Sequence, residues 1–516
     1  MQRVRASTIS PLTVATFIAA GAFFALLLAF TYQTPLTFDD AFNANVALSL
    51  AKGRGYGTHT GGGFVAFNPY ITTGSFFIAP FAVPLMIFQP SIELIQLYSL
   101  AVTYLFFCTA LYYAKRIYHY LPLVITVVSA VFLIHGKTDV VPNTQAASLP
   151  APPYGLWFQF LGNMSGTWAL VAATLGCVST SSPSRVRHVI VFLCAAFACN
   201  AKMVHALPLA AALAVVLLCS PKTRWSAVLV GYLGAYVGVK ADSWLAWITL
   251  GPETFQAYKI TAQGFVASNL GVYSQFLSSP SITSLRGIFA NIPRNLAIAS
   301  SYVGSELSIA TALAASAVSV RVVATRKGLC QRELLHLVLA SAAASVAVVV
   351  WWSGMPSAPT RFLTSVAPLG VVSLAAAIVA VLASSSTTWR TVVMLGVGAF
   401  LVHSINQAER RGAFNSTIGK AVRTEQGEVA RLVKSESTRQ KKKSLCGEGW
   451  WYPHEISFLT GSPKAISCGV DRALGVVIPK HIFPADIASQ LVSQRCEKTF
   501  SGAYYDLVFC ARKEAE

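Results

Sequence analysis

The stretch Thr37-Phe38-Asp39-Asp40-Ala41-Phe42 follows directly on the first long apolar run of the chain, Pro11 to Tyr32. A run of about 20 apolar residues is enough to cross a bilayer as a helix, so the two carboxylates stand where a membrane helix should emerge. Carboxylates at a helix mouth are expensive to desolvate, and a pair kept there points to chemistry or ion handling rather than to packing. Beyond the pair, Val46 and Leu50 recur at helical spacing beside Asn43, Asn45 and Ser49. That pattern predicts an amphipathic helix able to lie on the membrane surface. The glycines of Gly53-Arg54-Gly55-Tyr56-Gly57 and Gly61-Gly62-Gly63 then predict a pliable loop. They lack the Lys-Ser/Thr of a phosphate-binding loop, so a nucleotide cradle is not expected.

The rest of the chain fits this start. Of its 516 residues, 54% are hydrophobic and only 11% charged, with a mean hydropathy of +0.57, whereas soluble domains carry about 25% charged residues. This is the composition of an integral membrane protein built from helices. The first run is read as a retained span rather than a cleaved signal, although Ala20-Gly21-Ala22 resembles a cleavage site, because it is longer than a signal core and leads straight into the acid pair. The net charge of +19 is explained by basic cytoplasmic loops and their attraction to anionic membrane lipids. No aromatic stacking platform is interleaved with the basic residues, so nucleic acid is not expected as a partner.

Apolar runs at about residues 11–31, 92–114, 121–135, 155–178, 188–200, 203–219, 225–250, 296–320, 333–352, 361–384 and 388–404 predict an all-α polytopic protein of about 11–13 transmembrane helices. Arg3, Arg5, Lys115, Arg116, Arg185, Arg187, Lys222, Arg224, the basic residues of 321–332 and Arg390 are assigned to the cytoplasmic side. One alternation satisfies them all. It places the loops 32–91, 136–154, 251–295 and 353–361, and everything after 405, on the outer side, with the N-terminus inside. Residues 71–90 carry Pro80, Pro84 and Pro90 and are read as re-entrant or interfacial, because a full crossing would break this alternation. Asn200-Ala201-Lys202 splits an apolar stretch into two short helices, with Lys202 at the outer tip.

The division that follows is a transmembrane module at 1–404 and an outer domain at 405–516. The tail is polar and helical to about 445, then strand-like at Gly475–Ile478 and Tyr505–Cys510, which predicts a small α/β cap. Its four cysteines, Cys446, Cys468, Cys496 and Cys510, lack zinc spacing and in an oxidising compartment predict two disulfides. Sequence proximity suggests Cys446–Cys468 and Cys496–Cys510, out of three connectivities. The cysteines within the apolar runs read as small buried hydrophobes.

Outer-side residues near the membrane mouth form a candidate site: Asp39, Asp40, Asn68, Asp139, Lys202, His205, Glu253, Glu306 and Arg361. Carboxylates set apart from cations suit the transfer of a sugar from a lipid phosphate. An acid can deprotonate the acceptor hydroxyl, and cations can stabilise a phosphate that gains charge as it leaves.

Four segments, in order, carry a family resemblance. They are Phe38-Asp39-Asp40-Ala41-Phe42, Asn68-Pro69-Tyr70-Ile71-Thr72-Thr73-Gly74, Asn200-Ala201-Lys202, and Arg361-Phe362 with Pro368. Together they resemble the GT-C glycosyltransferases, which include lipid A aminoarabinose transferases and protein O-mannosyltransferases. The resemblance implies an inverting transferase in the bacterial inner membrane. The donor would be a polyprenyl-phosphate sugar, and the acceptor a cell-envelope glycan, lipid or protein on the periplasmic side. Asp40, or else Asp39, would be the base. Lys202 and Arg361 would hold the donor phosphate, and Asp139, Asn68, His205 and Glu306 would be acceptor or second acidic-site candidates. Two departures stand out. Leu161-Gly162-Asn163 has an amide where the family often has an acid, and the second loop offers Asp139 alone rather than an acidic pair. The latter argues against a bound metal, and a divalent cation is the single cofactor candidate. Two other readings stay open: an O-antigen polymerase or ligase, and a transporter or flippase of a lipid-linked substrate.

Overall fold

The computed structural model describes residues 11–31, 35–36, 38–60, 63–66, 73–135, 163–179, 185–219, 224–269, 291–293, 329–354, 366–384, 417–440, 445–446, 454–461, 465–466, 475–479 and 496–510. Three buried cores organise them. The first is a helical bundle of α1 (Pro11–Thr31), α4 (Ile92–Ile117), α5 (Leu121–His135), α6 (Asn163–Val178), α7 (Arg185–Ala201), α8 (Ala206–Cys219), α9 (Trp225–Asn269), α10 (Leu329–Ser353) and α11 (Val366–Ser384). Among the described residues, Ile92–Ile117 and Arg332–Ser353 are long and apolar enough to cross a membrane alone, and the remaining apolar helices are shorter. The expected spans at 296–320 and 388–404 lie outside the described residues.

The bundle is packed by small residues. Gly234 and Gly238 sit one turn apart on α9, and a methyl at either would overlap the carbonyl oxygen of Phe192 or Ala196 on α7. The missing side chains let the two backbones touch, which is how helices associate where lipid supplies no hydrophobic drive. At one end of the bundle, Arg224 donates to Glu333 at 2.9 Å, with both side chains almost fully buried, and so ties the start of α9 to α10. The span read at 225–250 ends where it was expected, at Gly251, whose φ of 78° lies in the left-handed region, and Pro252; where a loop was expected, a second helix then runs on to Asn269.

The second core lies above the bundle. It joins α2 (Phe38–Ala51), α3 (Ser75–Ile87) and the first turns of α4, and it takes in Phe458 from the tail. The 13 residues of α3 reach about 20 Å at 1.5 Å per residue, short of the ~30 Å apolar layer. A short hairpin of β1 (Gly57–Thr60) and β2 (Gly63–Ala66) follows α2.

The third core belongs to the tail. It contains α12 (Thr417–Gln440), β3 (Leu445–Cys446), α13 (His454–Leu459), β4 (Ala465–Ile466), β5 (Gly475–Pro479), β6 (Cys496–Ser501) and β7 (Tyr505–Cys510). β3 and β4 pair in parallel, while β7 pairs antiparallel with both β5 and β6 in the order β5-β7-β6. The strands expected at 475 and 505 are present, and β6 adds a third.

The cysteines whose side chains are described, Cys108, Cys177, Cys194, Cys199 and Cys219, are all free, and the expected Cys446–Cys468 and Cys496–Cys510 bridges fall on side chains outside the described residues. Cys496 and Cys510 are register partners on β6 and β7, but their side chains, that of Cys446, and Cys468 as a whole lie outside the described residues. Backbone pairing by itself already joins the strands that a Cys496–Cys510 bridge would join.

Among the described residues, the tail is fastened to the α2 layer by polar contacts. Gln426 on α12 takes a backbone N–H from Leu36 at 3.0 Å and donates to the Leu36 carbonyl at 2.8 Å and to the Tyr505 hydroxyl at 3.0 Å. Arg423 donates to Gln96 at 3.1 Å and to Glu93 at the start of α4. Asn45 donates to the carbonyl of His454 at 3.0 Å, Phe42 meets the His454 ring edge-on at 4.8 Å, and Lys52 donates to the carbonyl of Gly461. The helix expected to lie on the membrane surface is therefore covered. Ala41, Asn43, Ala44, Asn45, Val46, Ala47, Leu48 and Ser49 are all buried, enclosed between α3 on one side and α13 on the other.

Candidate functional site

Asp40 lies in the first turn of α2 and is 2% exposed. It lines a small cavity with Asn43, Ala44, Phe77, Ile78, Phe81, Ile95, Tyr98 and Ser99. The opposite wall comes from α3. It is held in place where Tyr98 donates to the Phe77 carbonyl at 2.6 Å and stacks on the Phe77 and Phe81 rings. The site is thus an acid facing an apolar and aromatic wall. Asp39 occupies the same turn, and its side chain lies outside the described residues.

A second buried carboxylate sits across α3, and the sequence reading did not include it. Asp242 on α9 is 3% exposed. Its Oδ1 accepts from the Tyr56 hydroxyl at 3.0 Å and from the backbone N–H of Ser75 at 2.7 Å, and its Oδ2 accepts from Asn200 Nδ2 at 2.8 Å. Asn200 completes the arrangement: its Oδ1 accepts the N–H of Phe76 at 2.6 Å, and its Nδ2 also donates to the Gly238 carbonyl at 3.1 Å. The N-cap of α3 is Gly74, which offers no capping side chain. The two leading N–H groups of α3 would be orphaned, and Asp242 and Asn200 satisfy them from other helices. Gly74 is required by the close approach, since a methyl there would overlap Asn200. Two motifs that the sequence reading treated separately, Thr72-Thr73-Gly74 and Asn200-Ala201-Lys202, therefore meet. The missed signal was one acid inside the apolar run 225–250, a location where an ionisable residue is functional by default.

Lys202 is half-buried and extended, with φ −148° and ψ 118°, between α7 and the short turn Met203–His205. The split-helix tip expected there is present. His205 is buried and faces the bundle: its Nδ1 lies 3.0 Å from the Ala198 carbonyl and its Nε2 3.4 Å from Thr167 Oγ1. It does not line the Asp40 cavity. Glu253 is exposed just past the Gly251 break. Asn68, Asp139, Glu306 and Arg361 lie outside the described residues. Among the described residues no group of three His, Cys, Asp or Glu side chains could hold a metal ion. The described neighbours of Asp40 are one amide, one hydroxyl, one phenol and apolar groups, which is not a divalent-cation donor set.

No family model and no curated protein matches the sequence. The structure does match. ArnT from Cupriavidus metallidurans bound to undecaprenyl phosphate superposes with a TM-score of 0.59 over 98% of both chains, at 12% identity. The chain has the GT-C fold. The apo state of the same ArnT gives a TM-score of 0.57 over 97% of this chain and 98% of that one, also at 12% identity. The Archaeoglobus fulgidus oligosaccharyltransferase in the apo form aligns at a TM-score of 0.42 and 11% identity, covering 89% of this chain and 65% of that one. The GT-C match extends over the tail as well as the bundle, so the cap is part of the shared architecture.

Proposed function

We propose that this protein is a GT-C glycosyltransferase that moves a sugar from a polyprenyl-phosphate donor to a hydroxyl presented at the outer face of the bacterial inner membrane. The observation that carries the reading is the location of Asp40: a carboxylate at a helix N-terminus, lining a cavity walled by α3, in a fold shared with an enzyme captured with undecaprenyl phosphate. The acceptor is a cell-envelope glycan, lipid or protein. Asp40 takes the proton of the acceptor hydroxyl as that oxygen attacks the anomeric carbon. The bond from that carbon to the phosphate oxygen breaks on the opposite face, so configuration inverts and polyprenyl phosphate leaves with its electron pair. Lys202 and Arg361 stabilise the charge that grows on the leaving phosphate. Asp39 is the alternative base or an acceptor contact. The N-terminus lies in the cytoplasm and residues 405–516 form a periplasmic domain over the site.

The test is to replace Asp39 and Asp40 separately by Asn in the native host and compare surface glycans by mass spectrometry. The expected result is the loss of a single-sugar modification in Asp40→Asn, with protein levels unchanged. Retention of every glycan in both variants would reject the reading.

A further inference from the structure

Asp242 joins three segments far apart in the chain. Tyr56 is 186 positions away, Ser75 is 167 and Asn200 is 42. Each of these leads to a part of the candidate site. Tyr56 follows the helix that bears Asp40. Ser75 begins α3, whose Phe77, Ile78 and Phe81 wall the Asp40 cavity. Asn200 stands two residues before Lys202, at the end of α7. A carboxylate buried in a membrane bundle is costly, and this one is retained with three donors on it and its charge against the positive end of α3. Gly238, one turn before Asp242 on α9, anchors Asn200 through its carbonyl, so the close α7–α9 packing and this cluster form one unit.

We infer that Asp242 is a positioning residue, a latch that fixes the α3 wall and the Lys202 tip relative to each other so that base and donor phosphate stay in one register. The inference rests on the transferase reading above. Its chemistry distinguishes it from general packing. An Asn at 242 can still accept from Ser75 and Tyr56 through its one oxygen, but its amide then faces the amide of Asn200, donor against donor. Exchanging the two groups, with Asn at 242 and Asp at 200, restores that hydrogen bond and gives up the one to Gly238. Because a misplacement of about 1 Å remote from the chemistry can cost on the order of 100-fold, the loss should appear in function before it appears in folding.

The experiment uses the full chain in nanodiscs, with polyprenyl phosphate as the probe. Affinity is read from ligand-induced thermal stabilisation, and the Ser75 and Phe76 amides are followed by hydrogen exchange. Asp242→Asn is expected to speed exchange at both amides and weaken probe affinity on the order of 100-fold, while the double variant with Asn200→Asp regains part of both. Tyr56→Phe, which removes one donor and keeps the ring, is expected to shift both readouts the same way by less, and it serves where Asp242→Asn fails to fold. Wild-type affinity in Asp242→Asn and Tyr56→Phe, with or without faster exchange, overturns the inference and leaves the transferase reading standing. Lost affinity with unchanged exchange overturns it too. A wild-type protein that polyprenyl phosphate does not stabilise defeats the transferase reading first and this inference with it.

Discussion

Two buried carboxylates flank the same short helix, and their surroundings differ. Three hydrogen bonds of 2.7–3.0 Å converge on the two oxygens of Asp242, which also borders a small cavity with Asn200, Met203 and Ser243. Asp40, on the other side of α3, borders a cavity with Phe77, Ile78, Phe81 and Tyr98. Burial does not separate the two, since Asp40 is 2% and Asp242 3% exposed, and neither does the presence of a cavity. Their neighbours do: donors from three segments converge on Asp242, and an aromatic wall stands beside Asp40. On that difference we propose chemistry for Asp40 and positioning for Asp242.

The largest expected effect breaks or makes this division. Asp40→Asn keeps size and shape and removes only basicity, so transfer should fall by about 10²–10⁴-fold with the unfolding midpoint preserved, measured as turnover and thermal unfolding on the same preparation. If stability fell and turnover per folded molecule did not, Asp40 would belong with Asp242 as a structural acid. Next is a control from the Arg224 end of the bundle. Glu333→Ala leaves Arg224 buried without its ion partner and should cost about 3–5 kcal/mol of stability, seen in unfolding, while the kcat of the remaining folded protein is unchanged. Gln426→Ala tests the clamp between cap and α2. It removes both bonds to Leu36 and leaves buried backbone groups unsatisfied, at a cost of about 1–3 kcal/mol, and proteolysis should release the tail sooner than in wild type.

The last effect is a pH dependence of the same clamp. Burial pushes His454 down from 6.5 to about 3. The unfolded chain then binds a proton between those values that the folded chain refuses. The neutral His454 contributes fully above about pH 6.5, and stability is lost as pH falls toward 3, by up to about 1.4 kcal/mol per pH unit. Unfolding midpoints of wild type and His454→Asn between pH 7 and 4 should converge as the medium becomes acidic. Parallel curves would show that His454 is not what loosens the cap from α2.

Much of this arrangement was legible in the sequence. The hydropathy runs located α1, α4 through α8, α10 and α11, because a span must hide every backbone polar group in a helix and its length is fixed by the bilayer. The prolines of 71–90 and the polar Asn200-Ala201-Lys202 break marked α3 and the split tip for equally local reasons. Three things were not legible. Asp242 was hidden in an apolar run, because its meaning depends on Tyr56, Ser75 and Asn200, which no spacing rule connects to it. The covered state of α2 depends on α13, some 400 positions later, so an amphipathic pattern could not say whether lipid or protein covers the helix. Gly234 and Gly238, a small-residue pair that marks close helix contact, were readable in pattern, but the partner α7 was not.

The central claim, that Asp40 performs the chemistry while Asp242 holds the stage, meets its most direct test in one single-turnover assay. Purified wild type, Asp40→Asn and Asp242→Asn are mixed with polyprenyl-phosphate sugar over a range of concentrations, and transfer of the sugar to an envelope acceptor, with release of polyprenyl phosphate, is timed. The account predicts that Asp40→Asn binds the donor normally and releases almost nothing, whereas Asp242→Asn binds it weakly and recovers much of its rate as donor concentration rises. Wild-type release by Asp40→Asn would contradict it.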